Sequence, residues 1–437
     1  MNVSRRSVLK GIGAASASLA FAGYAGAEES AQFVVSGGSN AASRIEQAGF
    51  EVERELGSGD VLHVVGPASD RTALEEVQGV QHVARNARFE FEGAELDATL
   101  DDAEFEPPGL WDQQWDKHVT DVVEAHDTAT GEGARVAVLD TGIDPTHPDL
   151  AANVNEELSA LFSSGNPIAP DENPWDMDGH GTHVAGTVAA TGDVGVIGTA
   201  PDAELVSLKV FWFEEFDGEV ILTTTMADIL AAITAAAEID ADAANMSLGT
   251  PPLEPSFNAE GTRVAYERVI QYASKEGTVV VASAGNSDAN LQQGGFFTTP
   301  NSTAGALSVS ATGPNDRRSF YSNYGTNEID VGAPGGGYET EEKTLEEDPT
   351  EVEWPFPLNM VLSTVPGGEW AWMAGTSMAA PQVAGTVALV RELAPNANAN
   401  QVESAIKHGA EGATGKSDAD LGAGRINAAN TVQRLDG

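Results

Sequence analysis

The chain has 437 residues, with 67 acidic side chains against 22 basic ones and no cysteine. The formal net charge is −45. Without cysteine there are no disulfides, thiolate zinc sites or cysteine nucleophiles. So negative a field repels nucleic acid and anionic lipid, which excludes both as partners.

The hydrophobic fraction of 41% excludes wholesale disorder and allows a large core. The length fits two or three domains. The charge destabilises a compact state in dilute salt. At about 1 M salt the Debye length falls to about 3 Å, and most of that repulsion is screened. A salt-loving source is the expectation.

Residues 1–27 read as an export segment. Arg5-Arg6 is followed by a short Gly/Ala-rich run and by Ala25-Gly26-Ala27. A paired arginine, a weakly apolar stretch and an A-x-A end form a twin-arginine signal. The run from Gly11 to Gly23 is too short to span a bilayer. A soluble, secreted protein without a membrane anchor is expected. The twin-arginine route carries folded chains, which suits a protein needing no disulfides.

Residues 28–105 read as a small separate domain. Strands are expected at Gln32–Ser36, Phe50–Leu56, Val61–Val65, Val80–Ala84 and Arg88–Phe91. Helices are expected at Ala41–Ala48 and from Asp70, as N-cap, through Val77. The order βαββαβ is that of a ferredoxin-like α+β unit. The acidic, proline-containing stretch Asp97–Pro108 reads as a linker.

Residues 106–437 alternate strands and helices. The strands are Arg135–Leu139, Leu205–Val210, Ala243–Leu248 and Thr278–Ser283. The helices are His183–Ala190, Thr223–Glu238 and Gly261–Glu276, with another from Ser377 to about Leu393. This predicts an α/β fold around a parallel sheet, with its site at the strand C-terminal ends.

Four motifs fall there. Asp140 ends a strand in Val138-Leu139-Asp140-Thr141-Gly142-Ile143-Asp144. His180 starts a helix in Asp178-Gly179-His180-Gly181-Thr182-His183. Asn286 ends Ala282-Ser283-Ala284-Gly285-Asn286. Ser377 starts a helix in Gly375-Thr376-Ser377-Met378-Ala379-Ala380-Pro381. A serine needs a base to become a nucleophile, and the imidazole that serves needs a carboxylate to fix its tautomer. An amide and a backbone N–H can hold the oxyanion that develops.

These blocks resemble those of the subtilisin-like serine proteases, and the Asp…His…Ser order matches. Overall the chain is similar to the halolysins, the extracellular proteases of haloarchaea. The resemblance covers about residues 106–435, and the small domain before it resembles that family's inhibitory propeptide. By resemblance, Asp140 orients, His180 is the base and acid, Ser377 attacks, and Asn286 with the Ser377 N–H forms the oxyanion hole. Ser247, Leu248 and Gly249 would pair with an extended substrate. Ser283, Ala284 and Gly285 would form the other wall of the P1 pocket, favouring apolar or aromatic side chains.

The resemblance also implies structural calcium. Asp149 matches a family ligand, and the loop Thr191–Val196, with Asp193, lies where others arise; the loop is about one residue shorter than usual. No catalytic metal is implied. Gln382 replaces the family's usual histidine at a non-catalytic place. His183 reads as packing, Asp144 and His147 as turn residues, and the acid-rich Tyr338–Trp354 as a solvated loop. The implied product is a monomeric endopeptidase acting on proteins, made as a precursor that cuts itself near Phe105. An esterase is disfavoured because no G-x-S-x-G elbow occurs.

Overall fold

The computed structural model describes residues 19–27, 30–91, 99–100, 109–169, 171–216, 218–253, 261–293, 297–412 and 418–435. The arginine pair of the export segment and most of the acidic linker lie outside them. No helix among the described residues is long and apolar enough to cross a membrane.

Strands β1 (Leu19–Tyr24) and β2 (Gly26–Ala27) come first. The small domain follows with β3 (Ser30–Gly37), α1 (Ala41–Gln47), β4 (Glu51–Leu56) and β5 (Val61–Gly66). It continues with α2 (Arg71–Glu75), β6 (Val80–Arg85) and β7 (Ala87–Phe91). All pairings of β3 with β5 and β6, and of β4 with β5, are antiparallel. The spatial order β4-β5-β3-β6 is the expected ferredoxin-like one. One detail differs. Asp70 makes no side-chain cap, because a 3₁₀ turn at Ala68–Asp70 already leads into α2, which stops at Glu75.

Two-residue β8 (Thr99–Leu100) leads toward the large domain, whose sheet is built from seven parallel strands. In chain order these are β9 (Arg135–Val138), β10 (Ala160–Leu161), β11 (Glu204–Lys209), β14 (Ala243–Met246), β15 (Val279–Ser283), β16 (Ala306–Thr312) and β17 (Val331–Pro334). Their spatial order is β10-β11-β9-β14-β15-β16-β17. Val136 and Val138 enter one core while Ala137 and Leu139 enter the other. Both faces are covered, which is why the central strands read as unbroken apolar runs.

On one face lie α3 (His180–Ala189) and the 18-residue α6 (Thr376–Leu393). On the other lie α4 (Met226–Glu238) and α5 (Thr262–Glu276). The small domain docks on α4 and α5. Arg268 of α5 donates to the carbonyls of Gly37 and Asp60 at 2.9 and 3.0 Å. The Ala227 N–H in the first turn of α4 donates to Asn86 Oδ1 at 2.9 Å.

Two expectations need correction. The helix expected from Thr223 begins at Met226, with the Thr225 hydroxyl accepting from the Asp228 N–H. Residues 223–225 instead end strand β13 (Glu219–Thr225), which forms an antiparallel hairpin with β12 (Trp212–Phe216). The cause is distant in sequence: β13 pairs antiparallel with β7 of the small domain. The segment Tyr338–Trp354 is only partly solvated. Tyr338 is buried and its hydroxyl donates to the Trp354 carbonyl at 3.2 Å, and a short helix, Glu341–Thr344, lies between.

Candidate active site

Asp140 lies two residues past the end of β9, and His180 is the first residue of α3. Two glycines let these segments approach. A Cβ on Gly181 would lie 2.1 Å from the Gly142 carbonyl oxygen. Gly142 adopts φ 117°, and a Cβ there would lie 2.6 Å from the Asp176 backbone nitrogen. Any larger residue would push the carboxylate away from the imidazole.

His180 Nδ1 lies 2.7 Å from Asp140 Oδ1, and both side chains are fully buried. Asp140 Oδ1 also accepts the Thr141 N–H at 2.8 Å. The proton therefore belongs on Nδ1, leaving Nε2 with a lone pair. That Nε2 has no hydrogen-bond partner within the described structure. Burial alone would push the His180 pKa down, but Asp140, Asp178 and Asp176 outweigh it and hold it above the ordinary imidazole value.

Ser377 sits in the first turn of α6, after Gly375. Its Oγ donates to the Ser247 carbonyl at 3.2 Å, while Ser247 Oγ donates to the Ser377 carbonyl at 2.7 Å. The hydroxyl thus rests on the segment that follows β14. The Ser377 N–H belongs to the unpaired amides of a helix start, where the dipole favours negative charge. Asn286 is held at the same helix start. Its Oδ1 accepts from the Thr376 N–H and Oγ1, each at 2.9 Å. Both acceptor bonds fall on Oδ1, so the NH₂ is the end left for an oxyanion.

The two wall segments run side by side, with Ser283 Oγ donating to the Leu248 carbonyl at 3.4 Å. Leu248 and Ala284 are buried. A Cβ on Gly249 would meet nothing closer than the Ser283 carbonyl at 3.7 Å. Gly285 takes φ 96°, which suits glycine, and its N–H donates to Thr376 Oγ1 at 3.1 Å.

The residues read as structural behave so. His183 Nε2 faces the carbonyls of Val361 and Ala371 at 3.2 and 3.1 Å, and burial holds its pKa down at about 3. Asp144 accepts from Thr146 and Gly367, and His147 Nε2 faces the Glu369 carbonyl at 2.9 Å. Gln382 bridges a buried ion pair that sequence reasoning missed. It accepts from Lys117 Nζ at 2.6 Å and donates to Asp116 Oδ2 at 2.7 Å.

The calcium assignment does not fit this geometry. Asp149 Oδ1 accepts the N–H groups of Val194 and Gly195 at 2.8 and 3.3 Å. Its Oδ2 accepts Gly195 and Val196 N–H at 2.9 and 3.0 Å and Trp370 Nε1 at 3.0 Å. The short loop turns amide hydrogens, not carbonyl oxygens, toward the carboxylate, and those hydrogens repel a cation. Asp193 is exposed on the same loop. Among the described residues no group of three or more His, Asp or Glu could hold a metal ion.

Asp176 was also missed. Its Oδ1 accepts from Thr141 Oγ1, the Asp178 N–H and the Gly179 N–H at 2.9, 2.9 and 3.0 Å. Its Oδ2 accepts from the Thr182 N–H and Oγ1 at 2.9 and 2.6 Å. Thr141 Oγ1 in turn accepts the Gly181 N–H at 2.8 Å. One carboxylate thereby joins the Asp140 loop to the start of the His180 helix. The sequence signal was an acid four residues before the histidine, where a helix N-terminus attracts negative charge.

Charged and titratable groups facing His180 are Asp140, Asp176 and Asp178, with His183 on its own helix; Phe91 faces it from β7. Asp176→Asn removes a charge that favours the imidazolium. The acid limb of kcat/KM should therefore move to lower pH, with a loss of up to about 10²-fold from misplacement. An unmoved limb would show that Asp176 only supports the fold.

A family model described as the subtilase family matches residues 131–424. M-protease of Shouchella clausii (strain KSM-K16) is 36% identical over 301 residues, covering 68% of this chain and 64% of its own length. Subtilisin Savinase of Lederbergia lenta is also 36% identical over 301 residues, covering 90% of its length and 68% of this chain. A solved protease of Pseudoalteromonas arctica is 31% identical, with TM-score 0.59, over 77% of this chain and all of that one (100%). The epidermin leader peptide processing protease EpiP of Staphylococcus aureus shares the fold at 20% identity, with TM-score 0.71, over 94% of this chain and 99% of that one. The chain belongs to the subtilase family. The chain spans about two thirds of M-protease.

Proposed function

We propose that the protein is a secreted serine endopeptidase, made as a self-inhibited precursor and adapted to high salt. The observation that carries the activity is the buried Asp140–His180 pair, in a fold that sets Ser377 and Asn286 at one helix start. Ser377 Oγ leaves the Ser247 carbonyl, gives its proton to His180 Nε2 and attacks the peptide carbonyl. The oxyanion takes hydrogen bonds from the Asn286 amide and the Ser377 N–H. His180 then protonates the leaving amine and activates water to release the acyl group. Casein should be cleaved; ester hydrolysis without casein cleavage would contradict a protease.

The precursor reading has physical support. Strand β7 of the small domain adds to β13 of the large one, and Phe91 packs edge-on against the His180 ring with centroids 5.4 Å apart. A buried ion pair, Arg88–Glu214, fastens the same strand. In this reading residues 28–105 inhibit the enzyme in cis and are cut off near Phe105, leaving a monomer that acts on protein substrates. The export segment and the absence of cysteine support secretion by the twin-arginine route.

The acid excess supports the salt reading. The one acid of the triad, Asp140, is fully buried, so screening should act on the surface rather than on the chemistry. Thermal midpoint and activity should both rise from dilute buffer to about 1 M salt, where the Debye length is about 3 Å. Undiminished stability in dilute buffer would refute the adaptation.

A further inference from the structure

Residues 19–24, within the stretch read as an export segment, form a strand of the folded chain. Strand β1 pairs antiparallel with β7, with Leu19 opposite Phe91, Phe21 opposite Phe89 and Tyr24 opposite Ala87. The resulting sheet has the order β1-β7-β13-β12. Strand β7, whose Phe91 covers His180, is thus central, with β13 on one edge and β1 on the other. Side chains reinforce the outer edge. The rings of Phe21 and Phe89 meet at 6.3 Å, and the Arg85 guanidinium lies over Tyr24 at 4.8 Å. Ala25 is buried, and its N–H donates to the Asn86 carbonyl at 2.9 Å.

The cleavage signal Ala25-Gly26-Ala27 ends at the last residue of β2. A cut there separates β1 from the chain. A folded protease precursor waiting for export must stay inactive inside the cell, so inhibition has to be strongest before the cut.

We propose that the outer edge of β7 is a docking surface for residues 19–24, which act as a strap that holds the inhibitory strand in the cleft until the export segment is removed. This rests on reading residues 1–27 as the export segment and β7 as inhibitory. Once cut, β1 is a separate peptide, its effective concentration is lost, and β7 keeps one paired edge. Its unpaired amides and carbonyls then face water, which lowers the stability of the strand against local opening. The release of the enzyme is thereby ordered after export.

The test uses the full chain. Purified precursors of wild type, Phe21→Pro and Arg5→Lys are transferred into high salt, and the lag before hydrolysis of a fluorogenic peptide is timed. Phe21 is 42% exposed, so proline there removes strand pairing with little cost to the core. The Phe21→Pro lag should shorten on the order of tenfold, as expected for losing a few ladder hydrogen bonds. Arg5→Lys leaves β1 intact and should keep the wild-type lag. Equal lags in all three would overturn the strap. In the Ser377→Ala background, which cannot process itself, hydrogen exchange at residues 87–91 should quicken with Phe21→Pro; unchanged protection would equally overturn it. A wild-type precursor active without any lag would instead sink the inhibitory reading on which the strap depends.

Discussion

Ser377→Ala should lower kcat by about 10⁶-fold, the scale of losing the nucleophile of a serine triad. The argument is chemical rather than structural. The Ser377 side chain makes one hydrogen bond, to the Ser247 carbonyl, whereas the reciprocal bond uses the Ser377 backbone carbonyl and survives the change. Helix α6 and its buried face are untouched, so the thermal midpoint should stay near that of wild type. The oxyanion donors also remain, and a residual rate about 10³–10⁴ above water is expected from them. The same variant should stay full-length after folding, because the cut near Phe105 is assigned to the protein's own site. Electrophoresis after long incubation reads this directly. Unaided maturation of the variant would show that another protease makes the cut.

Asp140→Asn should lower kcat by about 10⁴-fold. Asp140 Oδ1 accepts from both His180 Nδ1 and the Thr141 N–H, and the pair is sealed from water. An amide fills the same space, but with its NH₂ in the place of Oδ1 it would face both of those donors. If it turns toward His180, Nδ1 must accept and the proton moves to Nε2, the atom that has to take the serine proton. The base is then lost although every atom is nearly in place. The loss should fall on kcat with KM little changed, and the thermal midpoint should move only modestly. A loss of less than about tenfold would mean that the tautomer is fixed by something other than Asp140.

The site was legible because its chemistry uses rare combinations at the ends of regular elements. Asp140 ends a run buried on both faces, and His180 and Ser377 each follow a glycine at a helix start. The small domain was legible from short strands and turn glycines. What could not be read was set by partners far away in sequence. Thr223–Thr225 looked like the start of α4 because an apolar helical stretch follows, yet β7 draws them into a strand. Residues 19–24 looked only like an export segment, yet they complete that same sheet. Asp149 matched a calcium ligand by position. A loop one residue shorter turned its amides inward, and only coordinates show which way amides point. Asp176 carried a faint signal that gains meaning once Thr141 and Thr182 are seen to converge on it. The charge of −45 was plain from composition, but it says nothing of the reaction.

The central claim is that one serine, activated by His180, performs the cleavage. Its most direct test is to treat the matured protein with a peptidyl phosphonate and map the adduct by mass spectrometry. The account predicts one adduct, on Ser377, with loss of casein hydrolysis in proportion to labelling and no adduct in Asp140→Asn on the same time scale. Full casein hydrolysis after labelling, or a stoichiometric adduct on another residue, would contradict it.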